Sequence, residues 1–224
     1  MQFIKSEGKT RNQSVTLSDE DLWSAFREGD DSAYTLLYFR YADRLYSYLR
    51  LLIGSGPEKL NIEDVFQETW IRVYREKLRF ENRGEGSFMG WLFRIAHNYA
   101  MSLVRKPNRM TSFNELADDK FLYNYASTKT QETLSDDHSA EEILSLLRNV
   151  VEGLPISFKE IYILSEFERM SMDQITEALG IAKTNAKVRL FRARKIVREK
   201  MIEALGIDRT FADNSEGHDN VVDF

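Results

Sequence analysis

From Lys183 to Lys200 the chain carries eight basic residues, Lys183, Lys187, Arg189, Arg192, Arg194, Lys195, Arg198 and Lys200, opposed within the run only by Glu199. Cations at this density hold phosphates, and Lys, Arg and Asn at the start of a helix can read base edges: Lys and Arg take guanine acceptors, and Asn takes adenine. The segment just before is built to aim such a helix. Ser171 is a candidate N-cap for a short helix over Met172–Leu179, and Gly180 supplies a turn at positive φ without a Cβ clash. Ile181 plugs the core, and a second helix begins near Ala182 or Lys183. Ile175 and Leu179 are expected to face inward, with Thr176 between them at the close-packed position where such motifs usually carry alanine. On the second helix Ala186, Leu190 and Val197 face inward, leaving Lys183, Thr184, Asn185, Lys187, Arg189 and Arg192 outside. One helix braces while the next offers its first turns to the major groove, as a helix-turn-helix requires. Arg194 and Lys195 lie further along, where they supply affinity rather than sequence choice. The plainer alternative is a solvated basic face in an ordinary bundle; the turn, the spacing and the charge excess together favour DNA reading.

The elements that position these residues are helical. Leu37, Tyr41, Leu45, Tyr48 and Leu52 recur at three or four residues, as do Trp91, Leu92, Ile95, Ala96, Tyr99 and Leu103, and Ile143, Leu146, Leu147, Val150, Val151 and Leu154. No long alternating pattern predicts a strand. Pro57, Pro107 and Pro155 fall where these patterns break. The expected fold is all-α: two small helical domains joined by a flexible linker, the C-terminal one containing the helix-turn-helix. The expected divisions are a flexible N-terminus at 1–16, a helical domain at 17–107, a linker at 108–139, a second domain at 140–207 and an acidic flexible tail at 208–224.

Totals bound the chemistry. The chain has 224 residues and a net charge of −5, from 31 basic and 36 acidic residues, so an acidic total conceals the basic helix. With no cysteine, a disulfide scaffold, a thiol nucleophile and a Cys-based zinc site are excluded. His97, His138 and His218 sit in unrelated segments, and the acidic pairs Asp118-Asp119 and Asp136-Asp137 fall in the linker. No P-loop is present. No catalytic residue, cofactor site or metal site is therefore expected, and the chain reads as a non-enzyme. The first residues lack the apolar core of a signal peptide, and no apolar run is long enough to cross a bilayer. A cytoplasmic protein without membrane insertion is the expectation.

Two blocks, in order, resemble the bacterial sigma factors of the extracytoplasmic-function (ECF) group. Residues 171–181 (SMDQITEALGI) and 187–195 (KVRLFRARK), preceded by 154–164 (LPISFKEIYIL), look like the promoter-reading C-terminal domain. Residues 21–30 (DLWSAFREGD), 63–74 (EDVFQETWIRVY) and 88–100 (FMGWLFRIAHNYA) resemble the family's N-terminal domain. The likeness runs from about Leu17 to Leu205. It departs from the common pattern at Lys183–Lys187, where many relatives carry a glycine or serine and a valine.

The resemblance implies a region 2-like domain that binds polymerase and the minus-10 element, and a region 4-like domain that binds the minus-35 element. It implies core RNA polymerase and promoter DNA as partners (duplex upstream, single-stranded where melted), and an anti-sigma factor as inhibitor. Asp64, Gln67, Glu68 and Arg72 recur at helical spacing opposite Val65, Phe66, Thr69 and Val73, a ridge suited to a basic coiled coil of the polymerase. The polar segment 81–88 (ENRGEGSF) fits the family's base-capturing loop. There Asn82, Arg83 and Ser87 would read a base and Phe88 would stack on it. Arg94, Asn98, Arg105 and Lys106 would follow the backbone. Trp91 belongs with the core stripe. The rival reading is a stand-alone helix-turn-helix regulator, which needs no polymerase-facing ridge.

Overall fold

A computed structural model describes residues 17–54, 60–104 and 139–207, and every regular element among them is helical. Residues 108–138 of the linker assigned to 108–139, the two chain ends, and Pro57, Pro107, Arg105 and Lys106 lie outside the described residues.

The N-terminal half is four helices: α1 (Asp19–Arg27), α2 (Asp31–Ile53), α3 (Ile62–Arg75) and α4 (Ser87–Val104). Short polar side chains start the first three. The Ser18 hydroxyl accepts from the Asp21 amide, Asp30 from Ser32, and Asn61 from Glu63, each satisfying an N–H that has no partner inside its helix. The α2 stripe predicted from spacing is buried throughout: Leu37, Leu45 and Tyr48 are fully covered, and Tyr41 and Leu52 nearly so. Trp23, Phe26, Phe80, Phe88 and Trp91 stack edge-on or tilted at centroid distances of 5.0 to 6.2 Å and fill the space between α1 and α4.

The C-terminal half comprises α5 (Ala140–Glu152), α6 (Ile156–Tyr162) with a π-helical turn at Ile163–Phe167, α7 (Met172–Leu179) and α8 (Lys183–Ala204). Ser139 with Glu142, and Ser171 with Gln174, form reciprocal capping boxes at α5 and α7. Phe158, Ile161, Leu164, Ile175, Ala186, Ala193 and Val197 make the core of this half. Two expectations change. The buried alanine of α7 is Ala178, while Thr176, expected at the close-packed position, is half-buried with its hydroxyl donating to Asp173 O; Ile175 is buried and Leu179 half-buried against the core. Ile143, in the first turn of α5, remains 36 % exposed.

The halves pack on each other. Helix α7 lies along α4, and α5, α6 and the π turn rest on α2. The corner after the π turn places Arg169 at φ +55°, a left-handed conformation disfavoured for a residue with a Cβ. The corner presents Glu168 to Arg44 of α2, whose Nε and Nη2 donate to the Glu168 carboxylate at 3.0 Å and its carbonyl at 2.6 Å. Burial pushes the Glu168 carboxyl above the usual carboxylate range, and Arg44 pulls it back.

Candidate nucleic-acid and polymerase interfaces

The helix-turn-helix forms as its residues require. Gly180 sits at φ +65°, ψ 34°, in the left-handed region, and its amide closes α7 on Thr176 O. Helix α8 then starts at Lys183. Lys183, Thr184 and Lys187 are exposed, Asn185 and Arg192 are half-buried, and Arg194 and Lys195 are exposed further along. Lys183 Nζ lies 2.7 Å from Asp173, and Arg194 Nη2 lies 2.7 Å from Glu166. These contacts hold the cations at the surface without burying them, and exposed pairs of this kind contribute little.

Arg189 does not face outward. Its side chain is 12 % exposed, and Nη1 lies 3.8 Å from the Glu160 carboxylate on α6. The small Ala186 and Ala193, each fully buried one turn away, leave a channel in which a long guanidinium can lie against an acid. Val188 and Phe191, 49 % and 70 % exposed, take places on the outer face instead. Spacing singled out neither; the signal was an apolar residue on an otherwise polar helix face.

On the other half, Ser87, Trp91, Arg94 and Asn98 of α4 and Arg83 of the preceding loop line one cleft of about 650 Å³. The Asn82 side chain accepts from the Gly84 amide at 2.9 Å and the Ser87 hydroxyl from the Arg83 amide at 3.3 Å, so two of the predicted base readers shape their own loop. Phe88 is fully buried among Trp23, Tyr41, Phe80 and Trp91. In this arrangement it is a core ring and offers no face for stacking, because at the second residue of α4 it points into the aromatic cluster. Trp91 is half-buried at the cleft edge.

On α3, Asp64 and Gln67 are exposed. Glu68 and Arg72 pair with each other at 2.9 Å, and the Arg72 guanidinium lies 4.2 Å from the Tyr99 ring centre, tying half of the predicted ridge to α4. Ile71 and Tyr74, each 43 % exposed, extend the open part. Among the described residues, no group of three or more His, Asp or Glu is placed to hold a metal ion, and no helix is long and apolar enough to cross a membrane. His97 is buried, its Nε2 3.4 Å from Glu160.

An exposed reading helix on a capped brace and a polar loop feeding a second cation-bearing helix together define a DNA-binding, multi-surface helical protein. Comparison with known proteins identifies which. Residues 37–110 match the family model for Sigma-70 region 2, and residues 144–197 match that for Sigma-70, region 4. The ECF RNA polymerase sigma-E factor of Haemophilus influenzae is 29% identical over 187 residues, covering 83% of this chain and 96% of that protein. That of Escherichia coli K12 is 27% identical over 191 residues, covering 84% and 96%. Two solved structures share the fold. CnrH in complex with the cytosolic domain of CnrY has TM-score 0.54 and 22% identity, over 80% of this chain and 94% of that one. RpoE of Bartonella quintana in complex with the anti-sigma factor NepR has TM-score 0.51 and 18% identity, over 79% and 98%. The chain belongs to the sigma-70 family, in its ECF group: it is a sigma factor, a transcription initiation factor that directs RNA polymerase.

Proposed function

We propose that this sigma factor divides its work between its halves, taken as residues 17–107 and 140–207. The observation that carries the reading is that the first turns of α8 stand open to solvent on a capped, glycine-turned brace, while Arg83 and Arg94 border a cleft between α4 and α7. Lys183, Thr184, Asn185 and Lys187 read the minus-35 duplex, and Arg192, Arg194 and Lys195 hold its phosphates. Asn82, Arg83, Ser87, Arg94 and Asn98 take the melted minus-10 strand. Single strand binds there better than duplex, so binding favours opening. Asp64 and Gln67, extended by Ile71 and Tyr74 and backed by the Glu68–Arg72 pair, meet the polymerase. No step is catalysed by the chain itself. It acts in the cytoplasm, where its template lies, and an anti-sigma protein of the kind seen bound to the Bartonella relative covers it when inactive.

The test is transcription by purified core polymerase with and without this protein on a genomic template library. Transcripts that start downstream of a shared two-part promoter only when the protein is present are expected. Specific duplex binding without any effect on polymerase would replace this reading with a stand-alone regulator.

A further inference from the structure

Helix α8 keeps one face exposed along most of its length, and that face is not uniformly polar. Lys187, Phe191, Arg194, Lys195 and Arg198 are exposed and follow helical spacing along it, with Val188 beside them. Phe191 is the most exposed apolar side chain of the helix and stands in the middle of the cations. Arg194 and Lys195 each meet one acid of their own half, Glu166 and Glu199, and both stay exposed. Phosphates suit the cations but give no reason for the ring. A face of this composition fits an acidic segment that also carries apolar side chains.

The chain itself supplies such a segment. Beyond Arg209 the sequence carries Asp213, Glu216, Asp219 and Asp223, with no Lys or Arg, and adds Phe211, Val221, Val222 and Phe224. The end of α8 turns the chain toward the exposed face. Gly206 is left-handed at φ +65°, its amide donates to Glu203 O at 3.3 Å, and the Ile207 amide donates to Ile202 O at 3.1 Å. This pair of bonds is a Schellman motif, which stops the helix and takes the chain off its axis. Ile202 continues the stripe of Phe191, Lys195 and Arg198, so the chain departs beside that stripe. Reach is sufficient. From Ile207, an extended chain carries Asp213 about 20 Å, which is about the distance back along the helix to Arg194 and Lys195. It carries Glu216 about 30 Å, about the distance to Lys187. A segment joined so closely is present at about millimolar effective concentration, so a weak contact is enough to cover the face.

We propose that the basic face of α8 is the docking site of residues 208–224. Their acids take the places of promoter phosphates on Lys187, Arg194 and Lys195, and their apolar side chains cover Phe191. The segment and the minus-35 duplex compete for one helix face, and the duplex binds by displacing the segment. The proposal rests on the assignment of α8 to the minus-35 duplex. Salt screens a contact made between exposed charges, so the segment holds best at low salt.

The test uses the full chain. One variant neutralises the segment: Asp213→Asn, Glu216→Gln, Asp219→Asn and Asp223→Asn. A control makes the same change in net charge at exposed residues of other helices and their caps: Glu28→Gln, Asp31→Asn, Asp43→Asn and Glu141→Gln. The probe is a fluorescent duplex carrying the minus-35 sequence found in the transcription experiment. At low salt the neutralised chain is expected to bind it about threefold to tenfold more tightly than the control does, tenfold corresponding to a segment docked about nine-tenths of the time. The difference should close as salt rises. The chain has no native cysteine, so a nitroxide can be placed at Ser215→Cys. Amide resonances from Lys187 to Lys195 are expected to broaden in the free chain and to recover when duplex is added. Neutralised and control chains that bind alike, with Lys187→Glu still weakening the duplex, overturn the competition and keep the minus-35 assignment. Resonances of α8 that stay sharp overturn the docking site. Broadening that grows with protein concentration places the segment of a second copy there and overturns the contact within one chain. If Lys187→Glu does not weaken the duplex, the assignment itself falls, and the proposal with it.

Discussion

The two surfaces proposed to face DNA in this sigma factor differ in exposure. On α8 the cations of the first turns project into solvent, and their neighbour Asp173 touches only one of them. On α4 and its loop Arg83 and Arg94 both pair with Glu177, and Arg83 also with Glu81; one wall of their cleft is another helix, and the ring expected to receive a base is buried. Duplex DNA presents its edges at once, so a rigid helix on a capped brace suffices to read it. Melted DNA presents unstacked bases and a single backbone, and the surface proposed for it is a loop with two arginines rather than a projecting helix.

Each side of that contrast can be broken separately. The largest effect is expected at Phe88. If it is a core ring, Phe88→Ala destabilises the N-terminal half by about 3–5 kcal/mol, and thermal unfolding shows the loss before any DNA is added. Full stability with lost single-strand binding would instead make Phe88 a stacking platform. Next is Lys187→Glu, which should lower affinity for minus-35 duplex by tenfold or more, since a good base contact is worth about 1–3 kcal/mol. The same variant should leave the minus-10 single strand alone; equal losses on both would mean that the surfaces are not independent. Gly180→Ala puts a Cβ on a residue at φ +65° and is expected to cost about 1–2 kcal/mol. That corresponds to a drop in melting temperature of about 2–4 °C per kcal/mol for a chain of this size, with weakened duplex reading because the turn aims α8.

The smallest effect is at Lys159, buried on α6, where burial lowers the amine below its usual pKa and Glu152 partly restores it. The folded state then binds fewer protons than the unfolded state between the lowered value and 10.5. The cost is present in full below the folded pKa, and stability rises with pH through that window. Lys159→Met should therefore raise stability at neutral pH by up to about 1 kcal/mol, with the advantage shrinking as pH approaches 10.5. An advantage that does not change with pH would point to packing alone.

Much of this was legible in the residues because helical periodicity reports which face of each helix is buried. The Leu37–Leu52 stripe, the span of α7, the turn at Gly180 and the start of α8 all follow from that and from capping chemistry. Periodicity does not report which buried faces meet each other. Arg189 was assigned outward because arginine usually is; the acid that receives it lies 29 positions away on α6, and only the flanking alanines mark the channel. Phe88 was read as part of a polar loop although it opens a helix whose next turns are apolar. The seam between α4 and α7 left one trace in the sequence, the interior Gly90, which gains its meaning only when Glu177 is placed beside it.

The most direct measurement is the affinity of the full chain for a minus-35 duplex and for a minus-10 single strand, each with and without core polymerase, at one fixed salt concentration. The division of work between the halves predicts that Lys187→Glu weakens only the duplex and Arg94→Ala only the single strand. Equal losses on both probes from either variant would contradict it.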